Sequence, residues 1–345
     1  MKVGITTYPV AFQRKGGLEV QIRQTMQALQ GLGVETTLVD LSREKLKNFD
    51  IIHHFSHSSF RIFESAQSSG IPLVLSPLVE LVQSRLRLHK IRFINYALHK
   101  AFGQEFRTRW HDTMGSLRLA NAILPLTEAE NSVIKGLVPE VADRTQVVPN
   151  GITEDFFAAS PTLFRTTYPD LREFVLVASS IVPYKNQLAV IRAARAAGYH
   201  TVLVGSKSSE DYFGECMQAG GTTVTYLGEL EYPSPMLTSL FAAAGVVVLA
   251  SMQEPFGLVP FEALAAGTPS ILTTRSGVDW EGNPPYFQRV RPDSDDDIYN
   301  ALRTAMEAPP NPSACMQLVQ DMRWNAVAQR ILGIYESVLQ ERASR

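Results

Sequence analysis

Cysteine is almost absent, with two residues in 345, Cys216 and Cys315. They stand far apart and fit no metal-ligand spacing, which excludes a disulfide framework and a cysteine zinc site and suits a reducing compartment. Long uncharged apolar runs are missing too, so no stretch qualifies as a membrane-spanning helix. The opening residues, Met1 to Tyr8, run straight into a strand pattern without the basic-then-apolar order of a signal peptide. A cytoplasmic location is the expectation. Net charge is only −2, and no basic motif supports nucleic-acid binding. No G-x-G-x-x-G follows a strand in either half, which disfavours a dinucleotide-binding oxidoreductase.

What is present suits two domains of ordinary soluble composition. Short apolar runs alternate with helical stretches throughout. The first half reads as strands at Val3–Thr7, Val34–Leu41, Ile51–Phe55, Pro72–Ser76, Ala122–Leu126 and Gln146–Val148, with a helix over Leu18–Leu32. The second half reads as strands at Phe174–Ala178, Thr201–Val204, Val224–Leu227, Val246–Ala250 and Ser270–Thr273. This alternation predicts an α/β chain of two doubly wound parallel sheets. The expected division is 1–160 and 161–323, with a linker over Thr153–Arg172, and a C-terminal helix in 324–345.

The most informative stretch runs from Glu254 to Pro269. It follows the apolar run Val246–Ala250 and continues as a helix that stops at Gly267 and Pro269. Glu254 then lies in a strand-to-helix loop and Glu262 about one turn into the helix. Open α/β folds bind ligands at this edge of the sheet, and the free N–H groups of a helix start make an anion site. A diphosphate flanked by two hydroxyl-rich groups suits that order, although a Glu near a helix start is also ordinary dipole chemistry. Lys185 follows Phe174–Ala178 in a loop that opens a helix, where a lysine reaches phosphate as a point charge. Gly16-Gly17, between the first strand and its helix, permits close backbone approach or a plain tight turn.

These segments resemble a known family. Glu254 to Glu262 looks like the E-x7-E motif of retaining GT-B glycosyltransferases, in particular family 4. Ser179 to Asn186 resembles that family's G-R-L-x-P-x-K-G, Val147 to Ile152 its N-G segment between domains, Lys15 to Glu19 its N-terminal glycine loop, and Gly228-Glu229-Leu230 a further glycine turn. The resemblance implies a GT-B fold, two Rossmann-like domains facing a cleft, with the last helix crossing back to the first domain. It implies a nucleoside-diphosphate sugar as co-substrate and no metal or other cofactor. Glu254 would be catalytic. Gly17, Ser180, Lys185, Leu230, Phe256, Gly257, Leu258, Val259 and Glu262 would bind the donor, with Glu262 on the ribose diol. Gly16, His54 and His57 would face a glycan or lipid-linked glycan acceptor. Two departures stand out. Ser180 occupies the position of a phosphate-binding arginine, and the stretch Leu75 to Val79 lacks the usual histidine. They keep two alternatives open, a non-catalytic scaffold of this fold and a nucleotide-sugar epimerase.

Three further features have bland readings beside sharper ones. His53, His54 and His57 cluster after the third strand and would suit an acceptor contact or, less well, a metal. Asp293-Ser294-Asp295-Asp296-Asp297 invites a metal reading, but a helix cap at Ser294 or Asp295 with acidic residues in the first turn fits better. Residues 1–150 carry 18 Lys and Arg against 13 Asp and Glu, the remainder 14 against 21. The basic excess gathers in residues 85–110, interleaved with Leu86, Ile91, Phe93, Ile94 and Trp110. That pattern describes a helix packed by its apolar face, or one resting at the periphery of an anionic membrane.

Overall fold

In the computed structural model the chain forms two compact units. The first comprises Met1–Gly151, Gly277–Asp279 and Trp324–Arg345, the second Ile152–Ser276 and Trp280–Arg323. The structure describes residues 1–8, 10–13, 16–56, 60–79, 85–102, 108–280, 282, 284–307 and 311–344.

The first unit is built on β1 (Lys2–Thr6), β2 (Glu35–Leu38), β3 (Ile51–Phe55), β4 (Leu73–Ser76) and β5 (Ala122–Ile123), in the order β2-β1-β3-β4-β5. Every pairing is parallel. Its helices are α1 (Gly17–Gly31), α2 (Phe60–Ser68), α3 (Arg85–Phe102), α4 (Arg109–Leu119) and α5 (Glu128–Leu137). Side chains alternate across a strand, and β3 shows the result. Ile51 and Phe55 join one apolar cluster with Ile22 and Leu29 of α1. Ile52 joins another with Phe63, Leu117 and Ile134. Both faces are covered, which is why the strands read as continuous apolar runs.

The second unit carries β6 (Phe174–Ala178), β7 (His200–Val204), β8 (Val224–Tyr226), β9 (Val246–Leu249), β10 (Ser270–Thr273) and β11 (Phe287–Val290). They are all parallel, in the order β11-β10-β9-β6-β7-β8. Its helices are α6 (Glu154–Phe157), α7 (Thr162–Thr167), α8 (Gln187–Ala196), α9 (Glu210–Gly220), α10 (Pro235–Ala243), α11 (Leu258–Ala265), α12 (Asp295–Glu307) and α13 (Pro312–Val319). The last helix, α14 (Trp324–Ala343), belongs to the first unit, where Trp324, Ile331, Tyr335 and Val338 join the cluster of Val3 and Ile51.

Several expectations are corrected. The Thr153–Arg172 stretch is not a linker: Phe156 meets Phe241 at 5.1 Å and the Phe164 N–H donates to Ser239 Oγ (2.9 Å), so α6 and α7 pack on α10. The break falls at Gly151. Gln146–Val148 is no strand, only an extended segment whose Gln146 N–H donates to Ile123 O. His53 and His54 do not follow β3 but lie within it, both fully buried. His53 Nδ1 lies 2.6 Å from Tyr335 Oη and Nε2 2.8 Å from Ser76 Oγ, while His54 Nδ1 lies 2.9 Å from Thr6 Oγ1. Burial, and secondarily the neighbouring His54, hold the His53 ring far below its usual range, at about 3. His53 is therefore a neutral link between β3, β4 and α14, and neither histidine faces an acceptor. His57 lies outside the described residues.

Removing the Tyr335 hydroxyl leaves His53 with a buried unpaired nitrogen. Tyr335→Phe is expected to lower unfolding free energy by about 1–3 kcal/mol, measured by urea denaturation. An unchanged midpoint would show that the polar link adds nothing to the packing of α14.

Candidate functional site

Strand order decides where a site forms in the second unit. The sheet order reverses at the β6–β9 pair, so the connections leaving these two strands depart in opposite directions and open a crevice at their carboxyl ends. The loop after β6 carries Ser179 to Asn186, and the loop after β9 carries Ala250 to Gly257. Three contacts join the two loops. The Met252 N–H donates to Tyr184 O (2.8 Å), Asn186 Nδ2 donates to Ala250 O (3.2 Å), and Lys185 Nζ donates to Glu254 Oε2 (2.5 Å). Asn186 also donates to Pro292 O (2.7 Å). It sits in the left-handed region, φ 62°, which Asn tolerates better than most residues. The resembled motif has glycine there. Asparagine keeps the turn and adds two side-chain bonds that hold Lys185 in place.

Lys185 and Glu254 are mostly shielded, with side chains 15% and 13% exposed. Ser251 Oγ also donates to Glu254 Oε2 (3.2 Å). Gly257 follows at φ 85° as the residue before α11 and supplies no side-chain cap. A Cβ there would stand 3.0 Å from Glu254 Cγ and 3.1 Å from Leu249 Cδ2, so glycine is required both by angle and by space. The helix start therefore presents the N–H groups of Leu258 and Val259 beside the ion pair. Phe256 is buried against Phe261, and its carbonyl accepts from Ser276 Oγ (2.9 Å).

Glu262 lies further along α11 and is 3% exposed. Tyr232 Oη donates to its Oε1 at 2.8 Å. Burial raises the Glu262 carboxyl to about 7, only partly opposed by that hydrogen bond, and raises the Tyr232 hydroxyl well above its ordinary value. The two carboxylates thus differ in kind: Glu254 is paired with a cation, and Glu262 shares a hydrogen bond in a dry place. Ser180 makes local bonds, Oγ accepting from Ser206 (3.1 Å) and its carbonyl from Gln187 Nε2 (2.8 Å). Leu230 is half-buried after the positive-φ turn at Gly228. Sequence reasoning missed Asn186, Ser251 and Tyr232. Only Asn186 left a signal, as a non-glycine in a glycine position of the motif.

In the first unit the order reverses at β1 and β3. Gly16 caps α1 and Gly17 opens it, and a Cβ at either would meet nothing within 4 Å. No fold requirement of the unit accounts for these glycines. On α3, Ile91 packs toward the core while Phe93, Ile94 and Tyr96 stand 72%, 52% and 65% exposed. His89, Lys90 and Lys100 are exposed on the same helix. Among the described residues no helix is long and apolar enough to cross a membrane. The aspartate run behaves as a cap and ion-pair set: Ser294 Oγ accepts from the Asp297 N–H, Asp297 pairs with Arg291 (2.7 Å) and Asp293 with Arg275 (2.6 Å).

Comparison with known proteins bears on the fold and on the family that the second unit resembles. Residues 163–315 match the family model described as Glycosyl transferases group 1. A D-inositol 3-phosphate glycosyltransferase of Stackebrandtia nassauensis is 25% identical over 86% of this chain and 70% of its own. The sucrose-phosphate synthase of Thermosynechococcus elongatus superposes with a TM-score of 0.77 at 17% identity, over 99% of this chain and 100% of that one. Anabaena HepE, solved with UDP and glucose, gives 0.73 at 18% identity, over 98% and 100%. The chain spans 20 to 34% of the length of the first curated relatives it matches. The fold is GT-B, two Rossmann-like parallel-sheet units, and the stretch that matches the group 1 model falls within the span of the second unit.

The buried glutamate yields a pH signature. The folded chain keeps a proton on Glu262 up to about 7, whereas the unfolded carboxyl releases it near 4.5. Its contribution to stability therefore falls as pH rises through that window. Glu130, also raised to about 7 by burial, acts in the same sense, and His53 acts in the opposite sense between about 3 and 6.5. Taking the difference between Glu262→Gln and the wild type cancels both. That difference is expected to move in favour of the variant by on the order of 3 kcal/mol between pH 4.5 and 7, followed by chemical denaturation. A difference that stays flat with pH would show that Glu262 titrates normally.

Proposed function

We propose that this chain is a retaining glycosyltransferase that moves a sugar from a nucleoside-diphosphate sugar to a glycan or lipid-linked glycan acceptor. The observation that carries the reading is the Lys185–Glu254 contact of 2.5 Å beside the open helix start at Gly257. A cation and free amides suit a diphosphate, and a carboxylate beside them suits the positive charge that grows on a sugar carbon as its bond to that diphosphate breaks. Glu254 occupies the Lys185 ammonium; a diphosphate would take its place and leave Glu254 to the sugar.

In this mechanism the bond between the anomeric carbon and the diphosphate oxygen breaks as the acceptor oxygen bonds to the same carbon. The acceptor's proton passes to the departing phosphate oxygen on that face, and configuration is kept. Lys185 and the Leu258 and Val259 amides hold the charge of the leaving diphosphate, so the scheme assigns no role to a metal. Glu262, held by Tyr232, takes the ribose hydroxyls. Ser180 offers phosphate a hydroxyl where the resembled motif offers a guanidinium, which places more of the binding on Lys185. Gly16 and Gly17 leave room for a ligand on the first unit. The exposed Phe93, Ile94 and Tyr96 among basic residues favour a peripheral seat for residues 85–110 on an anionic membrane, at its cytoplasmic face.

A thermal-shift panel of UDP, GDP, ADP, CMP and NAD tests the donor class. One nucleoside diphosphate at a hundredfold excess over its Kd should add about 2.7 kcal/mol of stability; silence across the panel would instead mark a non-catalytic scaffold. With the matching sugar donor, Glu254→Gln should keep the nucleotide response while transfer falls about 10²–10³-fold. Unchanged transfer would remove Glu254 from the chemistry, and free sugar epimers formed without acceptor would identify an epimerase.

A further inference from the structure

We infer that the first unit carries a second ligand site, a saccharide-binding groove along α14 that involves none of the residues assigned to the donor. The groove lies between α14 and the segment that leads from the 3-10 turn Pro139–Arg144 to Gln146, and it encloses about 520 Å³. That is within the size range of small-molecule sites, about 300–1,000 Å³.

Three observations point to a ligand. The first is Gly333. Glycine is the poorest helix former after proline, yet here it sits inside a helix of 20 residues. Packing does not require it, because a Cβ at this position would meet nothing within 4 Å. A side chain there would instead fill the groove, which Gly333 lines. The second is Arg144. Its Nη2 donates to Arg118 O (2.8 Å), which fixes the guanidinium, while its Nε is buried without a partner among the described residues. A buried donor of this kind is costly to leave unpaired, and a small turn of the Arg144 side chain toward the groove that it lines would offer this N–H to a ligand. The third is the charge pattern. Arg330, Asp143 and Glu341 also line the groove and form no ion pair among the described residues.

Two guanidiniums and two carboxylates balance, and the Gln146 amide adds both a donor and an acceptor. A strongly anionic or cationic ligand would meet repulsion from half of this set. An uncharged ligand dense in hydroxyl pairs satisfies it, because guanidinium and carboxylate each offer two adjacent atoms to neighbouring hydroxyls. The choice of a saccharide over other polyols rests on the glycosyl-transfer reading; the groove itself does not. A glycan held here would be tethered to the first unit independently of the donor.

The test is saturation-transfer NMR on the full chain with maltotriose, cellotriose and chitotriose, without nucleotide. At least one is expected to bind, and Gly333→Gln and Arg330→Ala are each expected to weaken it about tenfold or more. Gly333→Gln should also leave the melting temperature unchanged or raised, since it improves the helix, so its loss of binding would not be loss of fold. Glu262→Ala should leave trisaccharide binding intact. Absence of binding by all three sugars, binding that survives Gly333→Gln, or binding lost in Glu262→Ala would each overturn the site. Because no nucleotide enters the assay, failure of the donor panel and failure of the groove are separate results.

Discussion

The adjacency of β6 and β9 governs this molecule. They are paired in the middle of the second sheet but separated in sequence by β7, β8 and three helices. Right-handed crossovers that leave a sheet in opposite directions cannot cover the point from which both depart. Two loops are therefore left side by side at one sheet edge, and Ser180, Lys185, Ser251 and Glu254 of the candidate site hang from them. Lys185 rides on one and Glu254 on the other, and their contact closes the gap. A mostly shielded ion pair of this sort is a poor source of stability, because desolvation offsets attraction. Its value lies in holding two opposite charges where a ligand can separate them.

The two glutamates of α11 and its preceding loop show how one short segment supports two chemistries. Glu254 accepts from an ammonium and a serine hydroxyl. Glu262 lies in a dry interior and accepts from the Tyr232 hydroxyl. Gly257 makes the difference geometrically, because its left-handed turn places one carboxylate before the helix and the other within it. Any side chain at 257 would push on Glu254 itself.

Much of this was legible in the sequence because parallel strands buried on both faces are long apolar runs. Phe174–Ala178 and Val246–Leu249 agree with their expected spans to within a residue. The strand at Phe287–Val290 was not legible: it is an edge strand whose middle is Gln288 and Arg289, so no apolar run marks it. Gln146–Val148 misled because its Gln146 and Val148 N–H groups do donate to Ile123 O and Pro125 O, yet the ladder goes no further than an isolated bridge at Thr145. His53 and His54 read as loop residues because histidine is polar, yet each finds a hydrogen-bond partner inside the sheet and so tolerates full burial. The pairing of Lys185 with Glu254 was half legible, since both residues stood out but their direct contact depends on strand order. Tyr232 gave no signal, because a lone tyrosine in a loop has no periodicity to betray it.

The central claim is that Lys185 and the α11 amides form a diphosphate grip. The direct measurement compares the affinities of a nucleoside diphosphate and its monophosphate by titration calorimetry, in the wild type and in Lys185→Ala. A working grip predicts that the wild type prefers the diphosphate by about tenfold or more, or 1.4 kcal/mol, and that the variant loses most of this preference. An equal preference in both proteins would contradict it and place the phosphate elsewhere.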